Sequence, residues 1–287
     1  MEYYYVDVFS NKVLSGNGLV VVFIDDRHIE TQILLKLAQE FKQFETIFLK
    51  QKESHVFEAR IFTVEEELEF AGHPILGAAA SVHEHFFKGE EQVEIRFKLA
   101  AKEVSTFSKR QETSYSVTMN QGSASYIGEI KEGEEEVLRA LGLKKENKSQ
   151  KLPLEVISTG LPYLIVPLQS GLEECKIQGP GLESLLDKHG AKFVYVFDEK
   201  TLEARTWDNL GKVEDVATGS AAGPLCAYLI KHKLFSINQE IAIKQGGFVG
   251  RPSILKTWMV AEEEDKGEIM LEGEVAFLAE GKIRELF

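Results

Sequence analysis

The sequence predicts a two-lobed α+β fold, and three observations carry that prediction. Runs of β-branched and aromatic residues bounded by turn residues recur from end to end of the 287-residue chain. Two segments of small residues, opening near Gly72 and Gly219, have the composition of slim buried helices. These openings stand about 145 residues apart, close to half the chain, as expected of a duplicated unit.

In the first half, residues 3–9 and 18–24 read as strands, because Ser10-Asn11-Lys12 and Ser15-Gly16-Asn17-Gly18 between them carry turn chemistry. A helix follows, with Thr31 as its cap and Leu34, Leu37, Ala38 and Phe41 at the i, i+3, i+4, i+7 spacing of one buried face. Strands are expected over 46–50 and 56–62. The segment Glu69-Phe70-Ala71-Gly72-His73-Pro74 then leads into a helix, Pro74 being suited to a first turn whose N–H groups lack acceptors in any case. Ala and Gly at 77–80 let neighbouring backbone approach that helix closely, which a helix between sheet layers requires. Strands over 93–99, 102–109 and 114–119 complete the lobe, and Asn120-Gln121-Gly122-Ser123 is the expected hinge.

The second half begins in the same style. Glu134, Glu135 and Glu136 suit the first turn of a helix carrying Val137, Leu138 and Leu141, closed by Gly142. Residues 144–151 read as a charged surface loop, 164–168 and 193–197 as strands, and 221–233 as a long helix. Strands at 241–244, 253–260, 268–271 and 275–280 finish the chain.

The repeat has two matched features. Glu58-Ala59-Arg60-Ile61-Phe62 resembles Glu203-Ala204-Arg205-Thr206-Trp207, and Ala71-Gly72-His73 corresponds to Thr218-Gly219-Ser220, both at nearly one offset. A helix start offers unpaired N–H groups and the positive end of the helix dipole, so it attracts carboxylate or phosphate even in an acidic chain. Either glycine alone would be explained by a tight strand-to-helix turn. The pair points instead to a small anionic ligand where the two motifs meet, at the interface of the lobes.

Composition excludes several classes. A net charge of −13, with no basic run interleaved with aromatics, argues against nucleic acid. No apolar stretch is long enough for a bilayer span, and no targeting segment is visible at the N-terminus, so a cytoplasmic protein is expected. Cys175 and Cys226 cannot build a disulfide framework or a zinc knuckle. His83 and His85 point apart on a helix, and the acidic runs 65–67, 134–136 and 262–265 read as solvated faces or first turns, so no metal site is expected. The glycines of Gln245-Gly246-Gly247-Phe248-Val249-Gly250 have the wrong spacing for a nucleotide loop, and no cofactor is expected.

Six sets of segments together resemble the PhzF-like (phenazine biosynthesis-like) family. They are Val6-Asp7-Val8-Phe9 with Ser15-Gly16-Asn17; Glu45-Thr46-Ile47-Phe48-Leu49; Phe70-Ala71-Gly72-His73-Pro74 with Gly77-Ala78-Ala79; Ser158-Thr159-Gly160-Leu161-Pro162; Glu214-Asp215 with Ala217-Thr218-Gly219-Ser220-Ala221-Ala222; and Gln245-Gly246 with Gly250-Arg251-Pro252-Ser253. The resemblance implies a diaminopimelate-epimerase-like fold of two pseudo-symmetric lobes, each a mostly antiparallel sheet wrapped around a central helix. It places the first lobe at 1–121, the second at 122–278, and a terminal strand at about 279–287 back on the first. It also implies a homodimer. Epimerases of that fold use two opposed thiols, and here the matching positions are Ala71 and Thr218, neither of which delivers a proton to carbon at neutral pH.

By the same resemblance Glu45 is the acid/base, His73 and Asp215 share the catalytic site, and Gly72, His73, Asp215, Gly219 and Ser220 bind substrate. The chain departs from the family pattern at Phe44, Val64, Val216 and Gly18, and Phe44 stands where a serine is common, which puts the phenazine-type substrate in question. A single carboxyl serving both proton transfers needs a raised pKa, and Phe44, Ile47 and Phe48 are the residues expected to desolvate it, with Asp215 adding like-charge repulsion. The expected function is a cofactor-free isomerase moving a proton within a small carboxylated metabolite. A non-catalytic ligand-binding or scaffold protein on the same fold is the alternative.

Overall fold

The protein is described from a computed structural model, which covers residues 1–25, 29–100, 102–179, 181–260 and 267–284. The acidic run 262–265 lies outside the described residues. Met1–Asn120 with the chain from Glu272 onward forms one compact unit, and Gln121–Leu271 forms a second. In chain order the elements are β1 (Glu2–Val8), β2 (Asn17–Phe23), α1 (Thr31–Phe41), β3 (Glu45–Glu53), β4 (Val56–Phe62), β5 (Glu67–Leu68), α2 (Gly72–Phe86), β6 (Gln92–Lys98), β7 (Glu103–Arg110) and β8 (Tyr115–Ser123). They continue as β9 (Ser125–Glu129), α3 (Glu134–Ala140), β10 (Glu155–Ser158), β11 (Pro162–Leu168), α4 (Leu182–Lys188), β12 (Phe193–Asp198), β13 (Glu203–Arg205), α5 (Gly219–Lys231), β14 (Ile241–Gln245), β15 (Ser253–Val260) and β16 (Glu268–Lys282).

In the first unit β6 and β7 alternate, with Val93, Ile95, Phe97, Val104, Thr106 and Ser108 buried and their neighbours exposed, whereas β2 is buried along nearly its whole length. The strands run in the order β1-β2-β3-β4-β6-β7-β8-β16, and β16 pairs back onto β1, which closes the sheet into a ring. β2–β3 and β4–β6 are parallel pairs, whereas β1–β2, β3–β4, β6–β7, β7–β8 and β16–β1 are antiparallel. The ring encloses α2, which is buried from Gly72 through His83. Gly77 makes the fit possible: a Cβ there would lie 2.4 Å from Leu19 Cδ2 and 3.0 Å from Val8 Cγ2. On the outside α1 covers Val20, Val22, Phe48 and Phe62 with Leu34 and Ala38.

The second unit repeats the plan in the order β15-β14-β13-β12-β11-β10-β9, with parallel pairs at β11–β12 and β13–β14. Its α5 packs on β10, β11 and β15 and is buried from Ala221 to Ile230. Gly223 has the role of Gly77, since a Cβ there would meet Gln121 Oε1 at 2.3 Å. The helices α3 and α4 cover the other face through Val137, Leu138, Leu182, Leu185 and Leu186. The buried Glu155 on β10 is held by Lys231 and, at 3.0 Å, by His232 beyond the end of α5.

The Glu-Ala-Arg repeat has the same physical use in each unit. Arg60 makes a two-pronged bond to Glu67 at 2.7 and 2.6 Å and lies over the Phe62 ring. Arg205 does so to Glu214 at 2.8 and 2.6 Å and lies over the Trp207 ring. In both, a guanidinium fork pins the segment after a strand to the strand itself.

Several expectations are corrected. Thr31 is the first residue of α1 and caps nothing; its hydroxyl accepts from Arg60 Nη2 at 2.8 Å. The expected hinge at Asn120–Ser123 coincides with the unit boundary at Asn120/Gln121, but the segment is the continuation of β8 and not a loop. Residues 144–151 are not all surface loop: Lys148 bridges to Leu168, and Ser149 is buried with its N–H bonded to the Pro167 carbonyl at 2.9 Å. The last two strands are one, β16, because Gly273 keeps the chain extended where a Cβ would strike the Phe9 ring at 2.6 Å. The segment returning to the first unit begins at Glu272, ahead of 279. The long helix starts at Gly219, two residues before the expected 221, which places Pro224 inside it and leaves the Ser220 carbonyl without its usual N–H donor.

Candidate active site

The predicted site residues fall into two groups, one in each unit. In the first, Glu45 opens β3 and projects to the same side of the strand as Ile47 and Leu49, the side on which α2 packs. Gly72 and His73 open α2, whose N-cap residue Ala71 provides no side-chain cap, so the first N–H groups of the helix have no intrahelical acceptor. His73 Nε2 lies 3.3 Å from Glu45 Oε2, without hydrogen-bond alignment. A carboxylate so close would favour the imidazolium, but enclosure of the ring outweighs it. Burial pushes the His73 pKa down to about 3, and the pair is a neutral imidazole beside a carboxyl group rather than an ion pair.

Of the three residues expected to desolvate Glu45, only Ile47 shares its face of the strand. Phe48 turns the other way onto Leu34 and Ala38, and Phe44 is 41% exposed. The Glu45 side chain is nevertheless 18% exposed, and His73 supplies part of its enclosure. Strand alternation, read residue by residue, would have separated Phe48 from Glu45.

In the second unit Asp215, Thr218, Gly219 and Ser220 surround the start of α5. Thr218 is the N-cap, yet its hydroxyl does not cap the helix: it donates to Asp215 Oδ2 at 2.5 Å. Gln245 Nε2 donates to Thr218 Oγ1 at 2.9 Å and to the Asp215 carbonyl at 3.0 Å. Gln245 Oε1 accepts from Thr218 N–H at 3.1 Å and from the Tyr195 hydroxyl at 2.9 Å. Ser220 Oγ shares a hydrogen bond of 2.8 Å with Tyr163 OH. Burial first, then the Asp215 charge, raise the pKa of Tyr195 well above its ordinary value; Tyr163 is raised as well, chiefly by burial. Both phenols stay protonated hydrogen-bonding groups. Gln245, Tyr195 and Tyr163 are absent from the sequence-derived site, although Gln245 carried a signal: it is the inward third of Ile241, Ile243 and Gln245, a polar residue at a core position.

The second group brings together oriented donors and one carboxylate, whereas the first sets a carboxyl beside a neutral imidazole. Among the described residues no three His, Cys, Asp or Glu side chains gather as metal ligands. Cys175 and Cys226 are buried, with thiols pushed up to about 12 by burial, so neither is a nucleophile near neutral pH.

Residues 6–281 match the model of the phenazine biosynthesis-like protein family, PhzC-PhzF. The chain belongs to that family. A trans-2,3-dihydro-3-hydroxyanthranilate isomerase from Pseudomonas aeruginosa is 31% identical, over 98% of each chain. The solved structure of a predicted epimerase from the same organism is 40% identical with a TM-score of 0.90, covering 98% of each chain. A PhzF-family phenazine biosynthesis protein from Bacillus anthracis is 22% identical with a TM-score of 0.85 over 99% of each, which speaks to fold alone. The fold is the diaminopimelate-epimerase-like one that the sequence predicts, and the PhzF-like chain is an isomerase of small metabolites. No helix among the described residues is long and apolar enough to cross a membrane.

Proposed function

We propose that this PhzF-like isomerase moves one proton between two carbons of a small carboxylated metabolite, with Glu45 as the only acid/base. The Glu45 carboxylate takes the proton from one carbon, the electron pair left behind shifts the double bond along the substrate, and the carboxylic acid returns the proton to the second carbon on the same face. His73, neutral throughout, orients the carboxyl and does not compete for the proton. Gly72 and His73 in the first unit, and Asp215, Gly219 and Ser220 in the second, are the substrate-binding residues that the resemblance implies. Proton transfer of this kind draws on no metal or cofactor.

The observation that carries the proposal is the Glu45–His73 pair: a carboxyl 3.3 Å from an imidazole that burial keeps unprotonated. Trans-2,3-dihydro-3-hydroxyanthranilate, the compound named for the relative from Pseudomonas aeruginosa, is the first to assay. If wild type leaves it unchanged, a metabolite library screened by thermal shift identifies the substrate, since a ligand of the folded form raises its apparent stability. On the compound turned over, Glu45→Gln keeps size and binding but loses turnover by a factor on the order of 10² or more. In D₂O the one-base route retains some original hydrogen in the product. Near wild-type turnover by Glu45→Gln overturns the assignment. A homodimer in the cytoplasm is the accompanying expectation from the resemblance, and light scattering of the purified protein tests the dimer.

A further inference from the structure

The hydrogen bonds leading to Asp215 have a direction, and backbone groups fix it. Thr218 N–H can only donate, so the Gln245 amide atom it meets at 3.1 Å is the oxygen. The Asp215 carbonyl can only accept, so the amide atom 3.0 Å from it is the nitrogen. That settles which way the Gln245 amide faces. Its oxygen must then receive the Tyr195 hydroxyl hydrogen at 2.9 Å, and its nitrogen must donate to Thr218 Oγ1 at 2.9 Å. With one lone pair of Oγ1 so engaged, the hydroxyl hydrogen of Thr218 goes to the Asp215 carboxylate at 2.5 Å. Gln245 is 1% exposed and Tyr195 is fully buried, so water does not compete for these positions.

We propose that Gln245 is a positioning residue which, acting through Thr218, commits the Thr218 hydroxyl hydrogen to Asp215 and so keeps that side chain a hydrogen-bond acceptor in one orientation. Its functional meaning rests on the reading that Asp215 holds substrate. The chain of bonds also explains why Thr218, at an N-cap, leaves the helix uncapped. The N–H groups of Gly219 and Ser220 are thereby left without a side-chain acceptor from their own cap, and the same substitution of roles excludes Thr218 itself as an acid or base.

Tyr163 from β11 and Tyr195 from β12 both feel the Asp215 charge, and both are raised above their ordinary range chiefly by burial. The neighbouring Glu214 is engaged by Arg205. Between about pH 3 and 8 the phenols therefore stay neutral, and a change in the Asp215 midpoint between wild type and a Thr218 or Gln245 variant reports on the bonds that the substitution removes.

The test uses the full chain with ¹³C-labelled aspartate, of which it has eight, the Asp215 carboxyl signal being the one lost in Asp215→Asn. The Asp215 titration midpoint is expected to rise by about one pH unit or more in Thr218→Val, which deletes the donor while keeping the shape, and to return to the wild-type value in Thr218→Ser. Gln245→Met is expected to raise it too, because nothing then directs the hydroxyl. The double variant rises no further than Thr218→Val alone, as two residues acting in series require. A wild-type midpoint in Gln245→Met, or additive shifts in the double variant, would show that Gln245 only fills space and would overturn the proposal. Should Gln245→Met fail to fold, equal midpoints in Thr218→Val and Thr218→Ser overturn it instead. The titration needs no substrate, so a failure of the isomerase reading appears separately, as Asp215→Asn turning over substrate with unchanged KM and kcat.

Discussion

At the start of α2 a carboxyl stands beside an imidazole that accepts no proton, with apolar packing on the helix behind it. At the start of α5 a carboxylate is held by a threonine, a glutamine and a tyrosine in sequence, with a second tyrosine on the adjacent serine. Both sites begin from a strand, an uncapped turn and a small-residue helix, and both need a glycine one turn later to seat that helix. What differs is the chemistry set beside the acidic group: an imidazole that burial keeps neutral near Glu45, and a hydroxyl that donates to Asp215. A group that must gain and lose a proton is poorly served by strong permanent donors, because they favour one protonation state. A group that must hold a ligand in place is well served by them.

The comparison breaks most directly through turnover. Glu45→Gln should lower kcat on the order of 10²-fold or more with little change in KM, while Asp215→Asn should act mainly by raising KM. Steady-state kinetics on one substrate read both, and a reversed pattern would exchange the two roles. Next in size is an effect on stability at the other end of the helices. Lys231→Met leaves the fully buried Glu155 with His232 alone and should cost about 3 kcal/mol in chemical denaturation, the usual scale for stranding a buried charge.

The pH dependence of stability separates the two centres by sign. His73 has a native pKa of about 3 against about 6.5 when unfolded, so the unfolded chain binds a proton in that window which the native chain does not. Stability is therefore lost as pH falls from about 6.5 towards 3, by about 1.4 kcal/mol per pH unit, and His73→Asn should remove one proton from the slope. The buried His83, also shifted down by burial, contributes in the same direction. Tyr163 and Tyr195 are shifted up, so their contribution is present below about pH 10 and lost as pH rises through their native values. Denaturation midpoints across pH should show an acid limb that changes with His73 and an alkaline limb that changes with Tyr163→Phe. The smallest expected effect is that of Phe44→Ser, within about 0.5 kcal/mol in stability because the ring is already exposed. Its use is to sharpen substrate choice: a changed ratio of kcat/KM between two carboxylated compounds, with stability unaltered, would mark Phe44 as a selectivity position.

Much of this was legible from residue order because it depends on local composition. The small-residue runs after Gly72 and Gly219 announce buried helices, and the strand at 253–260 follows from uninterrupted alternation. Where composition is ambiguous the sequence misleads: the helix expected from 221 begins at Gly219, and Glu272-Gly273-Glu274 looks like a break in what is one strand. The short β9 and β13 escape notice because their pairing partners, not their own patterns, stabilise them. The pairing of Glu45 with His73 and of Asp215 with Gln245 joins residues about 30 apart. No periodicity records such a contact, and only the polar Gln245 among inward isoleucines hinted at one.

The return of β16 onto β1 has a consequence in time. Glu2 is paired with Lys282 and Val8 with Val275, so the ring around α2 cannot close until nearly the whole chain has been made. Gln121–Leu271 is contiguous and can fold as soon as it is synthesised, whereas the unit carrying Glu45 and His73 waits with α2 uncovered on one side. Contacts of such long sequence separation are the slow ones to form, since the loop entropy is lost before they repay it. The unit that carries Glu45 and His73 therefore matures last, and a chain truncated after Leu271 would keep all of the second unit but leave the first with its ring open.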